Sequence, residues 1–158
     1  MTPLDLTNRP PRSCYVQLDG LMLMPRTIDK MRALLPGGVP NGYFINLNDR
    51  TKGLSGYLLA RLGITEDELC EAIARADSED DIAAWLRTRV DANIYPSLNE
   101  ALKRIELRHA ENPELVREFY AQVIASQPEL RSIVDIIDAD DRRLFPQHFA
   151  EIDAPRSP

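Results

Sequence analysis

The chain has 158 residues, 44% of them apolar and 28% charged, which suits one globular domain with a real core and excludes a disordered chain. Its net charge of −6 argues against a nonspecific nucleic-acid binder, and no apolar run approaches the ~20 residues of a membrane span. The opening "MTPLDLTNRPPRS" lacks the basic and apolar regions of a secretory signal.

Two cysteines, Cys14 and Cys70, make no disulfide framework, so the expected location is a reducing cytoplasm. Charge is unevenly spread. Residues 1–61 hold eight Lys or Arg against four acids, while the remainder holds 11 against 21. An electropositive first third points to a small anionic ligand there. Chance partition of so few charges is the plainer account, and composition does not choose between them.

In chain order, the first feature is "RPPRS", Arg9 to Ser13. Its prolines stiffen the backbone and display two guanidiniums, which suits gripping a carboxylate or phosphate. Pairing with acids of the chain's own acidic half is the preferred reading. Cys14 follows these arginines and is expected to be structural, as is Cys70.

A helix is predicted from Pro25 to just before Gly37-Gly38. Ile28, Met31 and Leu35 share one face, with Arg26, Asp29 and Lys30 opposite. Asp29 stands three residues from both Arg26 and Arg32, and such pairs add only ~0.2–0.5 kcal/mol each. A solvated face accounts for this cluster. The discordant residue is Arg26, a cation in the first turn, where the helix dipole disfavours it and an anion would relieve it.

The stretch "GGVPNGYFINLNDRTKG" reads as a loop, with Tyr43 to Leu47 as the only candidate strand. "LSGYLLARLG" then places Leu54, Leu58 and Leu62 on one side of a helix, with Tyr57 adjoining and Gly63 as the stop. Three capping boxes are predicted next: Thr65 with Glu68, Ser78 with Asp81, and Ser97 with Glu100. They open helices burying Leu69, Ile73 and Ala76, then Ile82, Trp85 and Leu86, then Leu98, Leu102 and Ile105.

His109 falls in line with the third stripe near a helix C-terminus, which predicts a structural, partly cationic imidazole. Two apolar faces, Leu115 to Ile124 and Leu130 to Ile137, are separated by Pro128 and predict a helical hairpin. Both are oily enough to seal a core or to form a homodimer. "DADD", Asp138 to Asp141, lacks the pattern of a calcium loop and reads as an acidic helix end. Two histidines exclude a histidine-rich metal centre, and nothing links His148 to a base. No dinucleotide, Walker, nucleophile-elbow or paired-cysteine motif occurs, so neither a cofactor nor a metal is expected.

The ordered set "DLTNRPPRS", "LMLMPRTIDKMRALLPGG", "GLSGYLLARLGITEDEL" and "DDIAAWLR" resembles an uncharacterised bacterial family, catalogued as domain of unknown function 5069. The likeness is clearest from Asp5 to about Arg87 and continues more weakly through "YPSLNEALKRI". Arg9, Pro10, Pro11 and Arg12 match one characteristic stretch of that family. Pro25, Arg26, Ile28, Asp29 and Lys30 match another, with Met24 in place of the usual leucine. The resemblance implies a small soluble bacterial helical protein and carries over no activity, cofactor or catalytic residue.

The reading is therefore an all-α single domain over residues 1–150, of six or seven helices with a C-terminal hairpin, and a disordered tail over 151–158. The first functional expectation is binding of a small anionic molecule by Arg9, Arg12, Arg26 and Lys30, with aromatic walls from Tyr43, Tyr57 or Trp85. The rival is a cofactor-independent lyase, hydrolase or isomerase, with Asp29 as acid or base and Tyr57 as proton donor. Two cations near Asp29 would make it a poor base at neutral pH, which counts against this rival. A third reading is a protein-interaction module built on the Leu115 to Ile137 hairpin.

Overall fold

Asp19 and Gly20 carry φ of 51° and 85°, the two left-handed positions that a two-residue hairpin turn requires. They join β1 (Gln17–Leu18) to β2 (Leu21–Met22), with Leu18 opposite Leu21. This Asp-Gly signal is present in the sequence, but strands of two residues leave no alternating pattern to read. The expected strand over Tyr43 to Leu47 does not form. Its backbone closes local turns instead, with Tyr43 N–H on Pro40 O at 2.8 Å and Leu47 N–H on Thr51 O at 3.0 Å.

The computed structural model describes residues 1–154, and these fold as a single helical domain. After the hairpin come α1 (Met24–Leu34), α2 (Leu54–Leu62), α3 (Glu66–Arg75) and α4 (Glu79–Arg89). Then follow α5 (Tyr95–Lys103), α6 (Pro113–Phe119), α7 (Ala121–Ser126), α8 (Ile133–Leu144) and α9 (Pro146–Asp153). The described residues thus hold nine α-helices, against six or seven expected. The first arm of the C-terminal hairpin breaks at Tyr120 into α6 and α7, and α9 is additional. Because α9 runs to Asp153, it crosses the expected boundary at residue 150; residues 155–158 lie outside the described residues.

Two of the three capping boxes form as read. Glu68 N–H donates to Thr65 Oγ1 at 3.2 Å while Thr65 N–H donates to Glu68 Oε2 at 2.9 Å. Ser78 and Asp81 repeat the arrangement at the start of α4. The third does not form, because a 3-10 turn over Ala92–Ile94 runs into α5, which begins at Tyr95 with Pro96 in its first turn. Ser97 is therefore already inside the helix, donating to Ile94 O at 2.8 Å, and Glu100 pairs with Lys103.

α5 also ends earlier than the apolar spacing suggests. His109 closes a separate 3-10 turn, where its Nδ1 accepts the Glu106 N–H at 3.1 Å. His109 therefore lies outside α5, beyond the end of that helix.

The core gathers α1, α2, α3, α4 and α8 around Ile28, Leu58, Leu69, Ile73, Ile82 and Val134, all fully buried. α5 clamps the hairpin: Met22 N–H donates to Asn99 Oδ1 at 2.9 Å, and Asn99 Nδ2 donates to Gly20 O at 2.7 Å. α7 packs on α8, so Val123, Ile133 and Ile137 close the core within one chain. No helix among the described residues is long and apolar enough to cross a membrane.

Replacing Ser78 by Ala should lower stability by about 1 kcal/mol in urea unfolding. Ser97→Ala, on a residue that caps nothing, should change it by less than about 0.5 kcal/mol.

Candidate functional site

The polar side of α1 is not solvated. Arg26 is 2% exposed and Asp29 5%, because the segment before the hairpin and the last third of the chain cover that side. A buried guanidinium needs a charge partner and full use of its donors. Arg26 Nη1 donates to Asp141 Oδ2 at 2.6 Å, to Arg12 O at 3.0 Å and to Pro11 O at 3.4 Å. The hydroxyl of Tyr43 donates to the other oxygen of Asp141, also at 2.6 Å. The Tyr43 ring lies under the guanidinium, 5.5 Å from Cζ to the ring centre. The anion expected beside Arg26 is thus an aspartate of the chain itself.

A second network ties the "RPPRS" segment down. Arg12 Nε and Nη2 grip Asp29 in a two-pronged pair, both at 2.9 Å, and Nη1 reaches Glu79 on α4 at 3.0 Å. The Arg12 N–H also donates to Asp29 Oδ2 at 3.0 Å, and Arg32 stands 3.9 Å from Oδ1. Asp29 thus accepts three hydrogen bonds, all from Arg12, with the Arg32 charge beside it, an arrangement that suits an ion-pair partner better than a base. Arg12 therefore pairs within the chain, with Asp29 from its own first third and Glu79 from the acidic remainder, while Arg9 makes no ion pair among the described residues.

α8 supplies the matching acids. Asp138 accepts from Ser13 Oγ and from Cys14 N–H, and Asp135 accepts from the Tyr15 hydroxyl at 2.6 Å. Asp135, Asp138 and Asp141 recur every three residues and so share one side of the helix. The "DADD" stretch, read as a plain acidic helix end, is the dock for the N-terminal segment. Cys14 is sealed beneath it, and burial pushes its thiol up to about 12, so it is inert at neutral pH.

Beside the Arg26–Asp141 pair lies a cavity of about 430 Å³. Tyr43, Phe44, Phe119, Tyr120 and Phe145 give it aromatic walls, Ile137 and Leu144 aliphatic ones, and Arg26, Lys30, Asp140 and Asp141 its charges. Asp141 is spent on Arg26 and Tyr43, and Asp140 pairs with Arg143 at 2.9 Å. Lys30 is different. Among the described residues its amine meets no carboxylate at ion-pair distance and no hydrogen-bond acceptor. Burial, reinforced by the neighbouring Arg26 charge, pulls its ammonium down to about 7. Burial also raises the hydroxyls of Tyr43 and Tyr120, so both keep their protons at neutral pH.

The residues expected to form one site are dispersed over four places. Arg26, Lys30 and Tyr43 share the cavity just described. Arg9 and Arg12 line a separate groove with Asp29, His148 and Phe149, under α9. Tyr57 belongs to a smaller cavity of about 180 Å³ with Leu54, His109 and Ile137, so it does not meet Asp29. Trp85 sits in a groove between α3 and α4, with the Arg89 guanidinium 5.9 Å from its ring centre. The helical spacing of α1 had placed Lys30 with Asp29 and Arg26. Its isolation depends on α8, which no local signal reports. Among the described residues no group of three or more His, Cys, Asp or Glu is arranged to hold a metal ion.

Removing the charge of Asp141 leaves Arg26 buried and unpaired. Asp141→Ala should therefore cost about 3–5 kcal/mol in urea unfolding. The double substitution Arg26→Met with Asp141→Leu should recover most of that loss, because neither charge is then stranded.

No curated protein matches the chain. A family model described as a domain of unknown function, DUF5069, matches residues 8–143, a span that takes in α1 to α7, all but the last residue of α8, and both ends of the Arg26–Asp141 pair. The chain belongs to that family.

Proposed function

We propose that the protein binds a small anionic molecule in the cavity beside α1, with Lys30 as the group that receives its charge. The observation that carries this reading is the charge balance of the cavity. Arg26 is matched by Asp141 and Asp140 by Arg143, which leaves Lys30, among the described residues, as the unmatched cation of its wall. A monoanion entering there would restore the Lys30 proton that burial now loosens, so binding and protonation are linked.

The walls say what else the ligand carries. Phe44 is 53% exposed, Phe119 57% and Leu144 49%, and all three line this cavity. Large apolar side chains around a cationic centre suit a carboxylate with an aromatic or aliphatic body. The hairpin reading, an interaction module or homodimer, keeps the exposed Phe119, while Val116, Val123, Ile133, Val134 and Ile137 are buried. Asp29 and Tyr57 line separate cavities, which counts against the rival built on them. Two free thiols are in keeping with a reducing bacterial cytoplasm as the setting.

A thermal-shift titration with phenylacetate tests the proposal. The wild-type protein should be stabilised, and Lys30→Met should abolish the shift while remaining folded by circular dichroism. A shift that survives Lys30→Met unchanged, or no shift with any small carboxylate, overturns the reading. The shift should shrink as the pH rises past about 7, where the free protein gives up the Lys30 proton.

Without ligand, the same residue shapes stability against pH. The folded protein holds the Lys30 proton only to about 7, below the ordinary 10.5 of the unfolded chain. Lys30 therefore destabilises the fold while it is charged, and stability should rise between those two values. Lys30→Met should flatten that rise in chemical unfolding at a series of pH values.

A further inference from the structure

We infer that Lys30 is an amine nucleophile for 2-oxo acids: its Nζ condenses with the keto carbon while the adjacent carboxylate is held by Arg26. The inference rests on the cavity reading above and adds a covalent step to it.

Three observations carry it. First, the chain has only three lysines, at positions 30, 52 and 103. Lys52 and Lys103 lie on the surface, facing Glu111 at 3.9 Å and Glu100 at 2.9 Å. Of the three, Lys30 alone lines the cavity beside Arg26, and it has no acid at pairing distance among the described residues. Second, Arg26 precedes it by four residues on α1, so the two side chains project to the same side of the helix and line one cavity. Third, the Arg26 Nε–H is buried with no hydrogen-bond partner, although Nη1 is fully used. An unmade donor on a buried guanidinium is costly unless a ligand completes it. A carboxylate one bond from a ketone matches an unsatisfied guanidinium one helical turn from a free amine.

The groups facing Lys30 suit this chemistry. Arg26 from its own helix and the burial supplied by the surrounding walls favour the neutral amine. Asp141 from α8 favours the charged form but is held by Arg26 and Tyr43, and Cys14 keeps its proton. Asp140, Tyr43 and Tyr120 also line the wall, with the uncharged Thr7, Asn41 and Asn46, and both tyrosines stay protonated.

In the step itself, the Nζ lone pair forms the C–N bond and the carbonyl π electrons move to oxygen. That oxygen takes a proton as nitrogen releases one, giving a carbinolamine. Nitrogen then forms the C=N bond as the C–O bond breaks, and the hydroxyl leaves as water with one further proton from solvent. Amine, ketone and one proton thus yield a protonated imine and water. The imine restores a positive charge at the one place where the cavity leaves a cation unmatched.

The full chain is incubated with pyruvate, and separately with phenylpyruvate, in the presence of cyanoborohydride, then analysed by intact mass and peptide mapping. The expected result is a single adduct at Lys30, formed at least about ten-fold faster than at Lys52, Lys103 or the N-terminus. Acetone, which lacks the carboxylate, should label Lys30 more slowly than pyruvate. Lys30→Arg should lose the adduct, while Lys52→Arg, on a surface lysine outside the cavity, should keep both the Lys30 adduct and the phenylacetate thermal shift. In the wild-type protein the rate of trapping should rise with pH through about 7 and the affinity for carboxylate should fall, so the two profiles run in opposite directions. Even labelling of all amines, or none at Lys30, overturns the inference. If phenylacetate still stabilises the protein in that case, the binding reading stands alone; if it does not, both fall.

Discussion

A guanidinium and a carboxylate, both nearly sealed from solvent, hold α1 to α8 across more than a hundred residues of chain. Such a pair adds little net stability, since desolvating both ions offsets most of their attraction. What it imposes is position. Arg26 must spend its Nη1 hydrogens on one acid and on the carbonyls of Pro11 and Arg12, so the N-terminal segment is drawn over α1. Asp141 must use both oxygens, so the loop carrying Tyr43 is drawn in from the other side.

The rest of the N-terminal segment follows the same logic of charge finding charge. Two prolines limit the conformations of residues 10 and 11, leaving Arg12 to settle on Asp29 and Glu79 at modest entropic cost. Asp138 then takes the Ser13 hydroxyl and the Cys14 N–H. Cys14 O in turn accepts the N–H of Leu23 at 3.0 Å, where the chain passes from hairpin to helix with φ at 67°. A leucine in left-handed backbone is strained, and it is tolerated here because the hairpin, Cys14 and the first turn of α1 all fix it.

From this arrangement the character of the cavity follows. With one oxygen of Asp141 on Arg26, the other on Tyr43, and Asp140 on Arg143, the carboxylates of α8 make no ion pair with Lys30 among the described residues. The lysine is held among aromatic rings by its position on α1, one turn beyond a guanidinium that repels its proton. An amine so placed is costly to the fold and has value only toward a ligand. The same buried pair that builds the domain therefore leaves one cation unmatched, and this is the physical basis for both the binding reading and the covalent one.

Much of the fold was legible locally. The helices of residues 24–103, the boxes at Thr65 and Ser78, and the buried stripes of Leu69, Ile73 and Ile82 follow from hydrogen bonds and periodicities spanning a few residues. The failures at Ser97, Tyr43 to Leu47 and Tyr120 arose where a neighbouring turn or a missing partner outweighed the local pattern. The candidate site was only half legible: Arg26, Lys30 and Tyr43 were named, but with Arg9, Arg12, Tyr57 and Trp85, which lie elsewhere. By itself the sequence determined a helical domain, its family, and an arginine out of place at a helix start. Only the tertiary structure decided that Asp141 answers Arg26, that Asp29 belongs to Arg12, and that Lys30 is left alone. Those choices are made by pairing charges far apart in the chain, and a helical repeat carries no record of which acid a distant helix will bring.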